Sequence, residues 1–357
     1  MTEPTYIPLR LHTEFSITDG MVRIKKLIAK AQEYGLPALG ISDLMNEFGL
    51  VKFYKACRGA GIKPIGAADV WIGNPNAPDK PFRAMLIIRN DAGYLRLSEL
   101  LTAAYVGKDR NVHHAELNPE WLENGDNSGL ICLSGAHYGE VGVNLLNGNE
   151  DAARAAALKY AAWFPDAFYL ELQRLPERPE WEACVSGSVK LAEELGLPVV
   201  ATHPTQFMSR DDFNAHEARV CIAGGWVLTD KKRPRDFTPS QFFIPPETML
   251  ERFADLPEAL ENTVEIAKRC NLHITLGKNF LPLFPTPDGL SLDDYLVKLS
   301  NEGLQERMVQ LYPDEAERAE KMPEYQERLD FELNIIIQMK FPGYFLIVQD
   351  FINWAKT

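Results

Sequence analysis

Arg10, His12 and Asp19 bring a fixed cation, an imidazole and a carboxylate together in the run IPLRLHTEFSITDG, from Ile7 to Gly20. Imidazole nitrogens and carboxylate oxygens are ligands for divalent metals, so the run reads as half of a metal site. In a strand, Leu9 and Leu11 face one side and Arg10 and His12 the other. Cation and imidazole then share the mouth of that strand, and Asp19, in the loop before an amphipathic helix, can turn back towards it. The same residues admit a plainer account, with His12 a satisfied core histidine and Asp19 a helix cap.

The elements that would position them alternate along the chain. Val22, Ile24, Leu27, Ile28 and Ala31 mark one face of a helix that closes at Gly35-Leu36-Pro37, and PALGIS follows as a short buried strand. The pattern continues with a helix near 49 to 60, strands in KPIGAADVWI and AMLIIR, a helix near 91 to 106 and a strand in GLICL. An Ala-rich helix at 151 to 163, the strand FYLEL, a helix near 178 to 195 and the strand PVVAT complete it. Roughly seven strands alternating with helices imply a parallel β/α barrel. In such barrels the loops after the strands carry the chemistry, and His12, Asp43, Asp69, Ala136 and His203 lie at or just past strand ends.

Composition narrows the class. No apolar run reaches the roughly 20 residues of a membrane span, and MTEPTYIPLR lacks the basic-then-apolar order of a secretory signal, so a cytoplasmic location is expected. Cys57, Cys132, Cys184, Cys221 and Cys270 are widely spaced without a CxxC, which argues against a disulfide frame and a zinc ribbon. A net charge of −13 opposes a broad phosphate-binding surface.

Beyond Cys221 the texture changes. KKRPRDFTPSQFFIPPETM reads as an ordered loop wrapping the surface, with Lys231, Lys232, Arg233 and Arg235 solvated. A helix near 256 to 269 has Leu260, Val264, Ile266 and Ala267 on its apolar face, and LPLFPTPDG then breaks regularity. The remainder is helical: Leu292, Leu296, Leu299 and Leu304 form a stripe, Ser291 is a cap, and the apolar end through FPGYFLIVQDFINWAKT looks like core packing without its partner. Lys340, Pro342 and Asp350 interrupt any membrane reading of that end.

The pieces LRLHTEFSITDG, GLVKFYKACRGAGIKPIGAADV, GLICLSG, GLPVVAT, DFNAHEARVCIA, DLPEALENTVEIAKRC, LPLFPTP and above all FPGYFLIVQDFINWAK, in this order, make the chain resemble the N-terminal part of the alpha subunits of the C-family bacterial replicative DNA polymerases. The resemblance implies an α/β fold, a distorted (β/α)7 polymerase-and-histidinol-phosphatase (PHP) barrel over residues 1–270. A linker at 271–290 and the helical start of the polymerase palm at 291–357 would follow. The polymerase aspartates and the glycine-rich nucleotide-binding stretch would lie beyond Thr357. No catalytic or cofactor-binding residue is therefore expected in this chain, and the Mg²⁺ of the complete polymerase would be held elsewhere.

Active PHP domains hold a metal cluster through His, Asp, Glu and Cys ligands. Here Arg10 stands at the first position of the opening His-x-His, with His12 retained, and the family's Asp-His is Asp43-Leu44. Asp69 survives, a histidine position falls on Arg83, the cysteine of Ser-Gly-Cys becomes Ala136, and the closing Asp-x-His falls on Pro204 and Gln206. Only His12, Asp19 and Asp69 keep usable donors, too few for a cluster, so no metal is expected. His203 should point away from the 204/206 face. Arg10 and Arg83 would instead pair with Asp19, Asp43 and Asp69 in an arginine and carboxylate network.

The resemblance implies a scaffold and docking role for the barrel in template-directed DNA synthesis, with a proofreading exonuclease subunit bound to it. The sliding clamp and other replicase subunits would bind outside this chain, and primed DNA and dNTPs would serve the complete protein. The alternative is a metal-dependent phosphoesterase or 3′-exonuclease at the barrel mouth, and a weaker third reading is a nucleic-acid-binding module. His113 and His114 read as exposed loop residues, His216 as a packed helix residue, and Gly224-Gly225 as a turn.

Overall fold

The computed structural model describes residues 4–278 and 281–357; Met1 to Glu3, at the start of the N-terminal run, and Asn279 and Phe280, within the expected linker, lie outside them. The chain divides into two compact units, Met1–Ile274 and Thr275–Thr357.

The first unit is built on six strands: β1 (Ala38–Leu44), β2 (Lys63–Ile72), β3 (Phe82–Ile88), β4 (Leu130–Leu133), β5 (Phe168–Leu172) and β6 (Val199–Ala201). They lie side by side in chain order as one curled sheet. The expectation of a uniformly parallel barrel needs correction at β3, which runs antiparallel to both β2 and β4, whereas β1–β2, β4–β5 and β5–β6 are parallel. Only nine residues, 73–81, separate β2 from β3, fewer than the dozen or so that a parallel crossover needs. The reversal brings the start of β3, and with it Arg83, to the mouth opposite Trp71.

The expected opening strand is not a regular strand. It nonetheless bridges the two edges of the sheet: Gly40 and Ser42 of β1 donate to the carbonyls of Pro8 and Leu11 at 2.8 Å each, and His12 donates to Thr205, just past β6, at 2.9 Å. Leu9 and Leu11 are fully buried on one side and Arg10 and His12 on the other, as strand alternation requires.

Helices α1 (Ile24–Glu33), α2 (Leu50–Gly59), α3 (Asp91–Val106), α4 (Pro119–Glu123), α5 (Glu140–Leu146), α6 (Glu150–Trp163) and α7 (Glu182–Leu195) fill the connections. α8 (Phe213–Gly224), α9 (Pro246–Arg252) and α10 (Pro257–Arg269) follow β6. Ile24, Leu27, Ile28 and Ala31 form the buried stripe of α1, and Gly35 ends it at φ 63°. Val22 precedes the helix, paired with Thr13 in an isolated bridge. Beyond α10 the chain stays on this unit: Asn271 donates to Arg89 O at 2.7 Å and His273 N to Asp91 Oδ1 at 2.9 Å.

The second unit contains α11 (Leu292–Leu311), α12 (Glu315–Gln338) and α13 (Pro342–Lys356). Ser291 caps α11 by accepting from Asp294 N, and Leu296, Leu333 and Leu346 form a small core. Tyr344, Phe345, Phe351 and Trp354 are exposed on α13. Among the described residues no single helix is long and apolar enough to cross a membrane, and α12 and α13 meet at a 116° bend.

The seam between the opening segment and β1 leaves no room at Gly40, where a Cβ would strike Leu9 O. Gly40→Ala should destabilise the chain by about 1–3 kcal/mol through overpacking. Gly59→Ala, at the open end of α2 with nothing within 4 Å of its Cβ, should stabilise it by about 0.4–1 kcal/mol. Chemical denaturation of the two variants measures both; equal effects would mean that the seam is not tight.

Candidate functional site

Arg10 lies at the centre of the mouth, 5% exposed. Its Nε and Nη2 donate to the two carboxylate oxygens of Glu171 at 2.7 and 2.9 Å, and its Nη1 donates to Asp69 Oδ2. This two-pronged pairing suits the guanidinium fork. Glu171, from β5, also accepts from Thr202 Oγ1 at 2.5 Å, Gly135 N at 3.1 Å and Gln173 Nε2 at 3.2 Å. Glu171 was not among the residues that the sequence singled out. Its signal was there, a lone carboxylate in the apolar strand FYLEL.

His12 stands between two carboxylates, its Nδ1 3.0 Å from Asp19 Oδ1 and its Nε2 3.1 Å from Asp69 Oδ2. Carboxylates accept, so both ring nitrogens carry protons. Burial alone would lower the His12 pKa, but Asp19 and Asp69 together outweigh it and raise it to about 9. Burial likewise opposes, and His12, Arg83 and Ser16 overcome, so that Asp19 falls to about 2. Asp69 is held below its usual range against burial, chiefly by Arg10 and Arg83. Asp19 caps no helix: besides His12 it accepts from Ser16 Oγ at 2.7 Å, and α1 begins at Ile24, after Arg23, without a side-chain cap.

Arg83 reaches Asp69 Oδ2 with Nε at 3.3 Å and Asp19 Oδ2 with Nη2 at 3.5 Å, its guanidinium 4.6 Å from the centre of the Trp71 ring. Three cations, Arg10, Arg83 and protonated His12, thus meet three carboxylates, Asp19, Asp69 and Glu171. Asp43, expected to pair with the arginines, does not. Its carboxylate instead accepts from Thr13 N at 2.6 Å and from Thr13 Oγ1 at 2.8 and 2.9 Å, and burial raises its pKa to about 6 despite those bonds. The physical reason is direction: Asp43 and Thr13 face each other across the β1 seam.

Leu44 donates its backbone N–H to Ser16 Oγ at 2.9 Å. Ala136, at φ 48°, opens the turn after β4, and Pro204 and Gln206 line the mouth. His203 is buried elsewhere, its Nε2 bonded to Phe242 O at 2.9 Å and its Nδ1 3.3 Å from Arg252. His216 is buried and donates to Asp19 O at 2.6 Å, in edge contact with Phe237. His114 pairs with Glu116 at 2.9 Å. Arg233, expected in solvent, is buried in an ion pair of 2.5 Å with Glu217 of α8, which would otherwise be a buried charge without a partner.

The residues do not fit a metal cluster. A histidine binds metal through a lone pair, and both His12 nitrogens are committed to carboxylates. Asp69 Oδ2 is taken by two arginines and His12, leaving Oδ1 as its unpartnered oxygen. Among the described residues no three His, Cys, Asp or Glu side chains are arranged to hold a metal ion.

Residues 8–175 match the PHP domain model, which places the first unit among PHP domains, and residues 294–357 match the bacterial DNA polymerase III alpha NTPase domain. Over all 357 residues the chain is 98% identical to the DNA polymerase III subunit alpha of Neisseria meningitidis serogroup A, covering 31% of that protein. It is 48% identical over 356 residues to the namesake of Pseudomonas fluorescens and 47% to that of Escherichia coli K12, covering 30% of each. The chain belongs to the family of bacterial DNA polymerase III alpha subunits, and it spans about a third of the length of these relatives. A solved amidohydrolase from Chromobacterium violaceum, with bound sulfate and no metal, shares 11% identity over 60% of this chain and 96% of its own, at a TM-score of 0.32.

Arg10→Ala leaves Asp69 and Glu171 buried without their main partner and should cost about 3–5 kcal/mol, read by denaturant melts. An unchanged midpoint would contradict the network. Its pH dependence follows from the signs. The stabilisation from His12 is complete below 6.5 and is lost as pH rises through about 9; that from Asp19 is complete above 3.8 and is lost as pH falls through about 2. Asp43, raised, favours the folded state below 3.8 and loses this as pH rises through about 6. Melting temperature should therefore decline between pH 6.5 and 9, and His12→Gln should flatten that limb.

Proposed function

We propose that this chain is the structural front of a DNA-directed DNA polymerase, and that its PHP barrel is a non-catalytic scaffold and docking domain. The observation that supports the non-catalytic reading is Arg10, whose guanidinium fills the centre of the mouth and satisfies Asp69 and Glu171. The polymerase reading rests on the 98% identity to subunits bearing that name.

In this reading the complete protein transfers nucleotidyl groups from dNTPs to primed DNA. Carboxylates outside these residues would hold the Mg²⁺, which would supply charge stabilisation for that transfer. The barrel carries the proofreading exonuclease subunit, the sliding clamp and other replicase subunits bind elsewhere, and the protein works in the cytoplasm.

The purified chain should hydrolyse neither phosphomonoesters nor DNA 3′ ends with Mn²⁺ or Zn²⁺, and it should retain the exonuclease subunit in a pull-down. Turnover abolished by Asp69→Asn would support the phosphoesterase reading instead. Failure to retain the exonuclease would remove the docking role.

A further inference from the structure

Between the end of α8 at Gly224 and the start of α9 at Pro246 the described chain forms neither helix nor strand. Its first part crosses the mouth: Trp226, Arg233 and Phe237 line the same space of about 400 Å³ as Asp19, Asp69 and Arg83. Backbone pairing does not hold it there. Among the described residues, the main chain from 227 to 237 is hydrogen-bonded to the rest of the unit at one point, where Arg178 Nη2 donates to Arg235 O at 2.6 Å. Firm attachment resumes at Gln241, whose carbonyl accepts from Gln206 N at 2.8 Å. A segment so poor in backbone bonds to its surroundings opens at lower cost than the sheet beneath it.

Two side-chain contacts close it. Arg233 pairs with Glu217 of α8 at 2.5 Å, each side chain 6% exposed. Phe237 meets His216 edge to face with ring centres 4.6 Å apart, and His216 in turn donates to Asp19 O at 2.6 Å. A buried ion pair adds little net stability over an apolar pair, yet losing one partner is costly, so it suits a latch better than a cement. Glu217 and Cys221 stand one turn apart on one face of α8, and Arg233 lies beside both. At the near end Gly225 sits at φ 69°, a conformation that suits glycine, with nothing within 4 Å of where a Cβ would be.

We propose that residues 226–237 form a strap that swings off the mouth as a unit, hinged at Gly225 and latched by Arg233 on Glu217. Hinges of this kind need only a few residues free to change φ and ψ. Latched, the strap covers Cys221 and closes one side of the space above Asp19 and Arg83; unlatched, it admits solutes to them. Nothing in this assignment depends on the polymerase reading.

The test labels the whole chain with N-ethylmaleimide and follows each thiol by mass spectrometry. All five cysteines are buried, so Cys57, Cys132, Cys184 and Cys270, away from the strap, report unfolding of the unit, and Cys221 reports the strap. Cys221 should react at least about tenfold faster than any of the other four. Glu217→Gln should raise its rate about tenfold further and leave the other four unchanged. Phe237→Ala, which keeps every charge near Cys221, should raise it too, so a mere change in thiol reactivity is distinguished from opening. Should Glu217→Gln fail to fold, Phe237→Ala decides alone. Reaction of Cys221 only as fast as the others would mean that the strap opens only with the whole unit, and would overturn the proposal. Variants that leave Cys221 unchanged, or that speed all five thiols equally, would overturn it as well.

Discussion

The pairing of Arg10 with Asp69 and Glu171 is the constraint from which the rest of the mouth follows. A guanidinium removed from water costs several kcal/mol unless it is paired, and here each of its three nitrogens donates to a carboxylate on one of two strands, β2 and β5. Those carboxylates are themselves held, Glu171 by Thr202, Gln173 and Gly135, and Asp69 by His12 and Arg83. Because Arg10 lies on the segment that joins β1 to the residues past β6, the same interaction helps to fix where the curled sheet is sealed. Site and fold are thus one structure at this point.

The charge balance explains why each group sits as it does. His12 between two carboxylates is driven to the imidazolium form, which supplies the third cation. Asp43, paired with neither arginine, accepts only from the neutral donors of Thr13, and burial raises its pKa. Arg10 thus supplies the positive charge that Asp69 and Glu171 meet at the centre of the mouth.

Much of this was legible from residues 7–20. Alternation correctly put Arg10 and His12 on one buried face and Leu9 and Leu11 on the other, and the pairing of Arg10 and Arg83 with Asp19 and Asp69 follows from complementary charge. The contribution of Glu171 was not legible, because a lone acidic residue in an apolar strand does not say what it faces. The antiparallel course of β3 was also missed. Its sequence is as apolar as that of a parallel strand, and only the short 73–81 connection distinguishes it. Arg233 reads as a solvated loop residue because charge runs usually are, and its partner Glu217 is hidden in an otherwise ordinary helix.

The most direct measurement is an NMR titration of the His12 ring nitrogens in the whole chain, with and without Zn²⁺. The balanced network predicts an imidazolium at neutral pH, titrating near 9 and indifferent to metal. A neutral ring at pH 7, titrating at or below the ordinary 6.5 and shifting on addition of Zn²⁺, would contradict it.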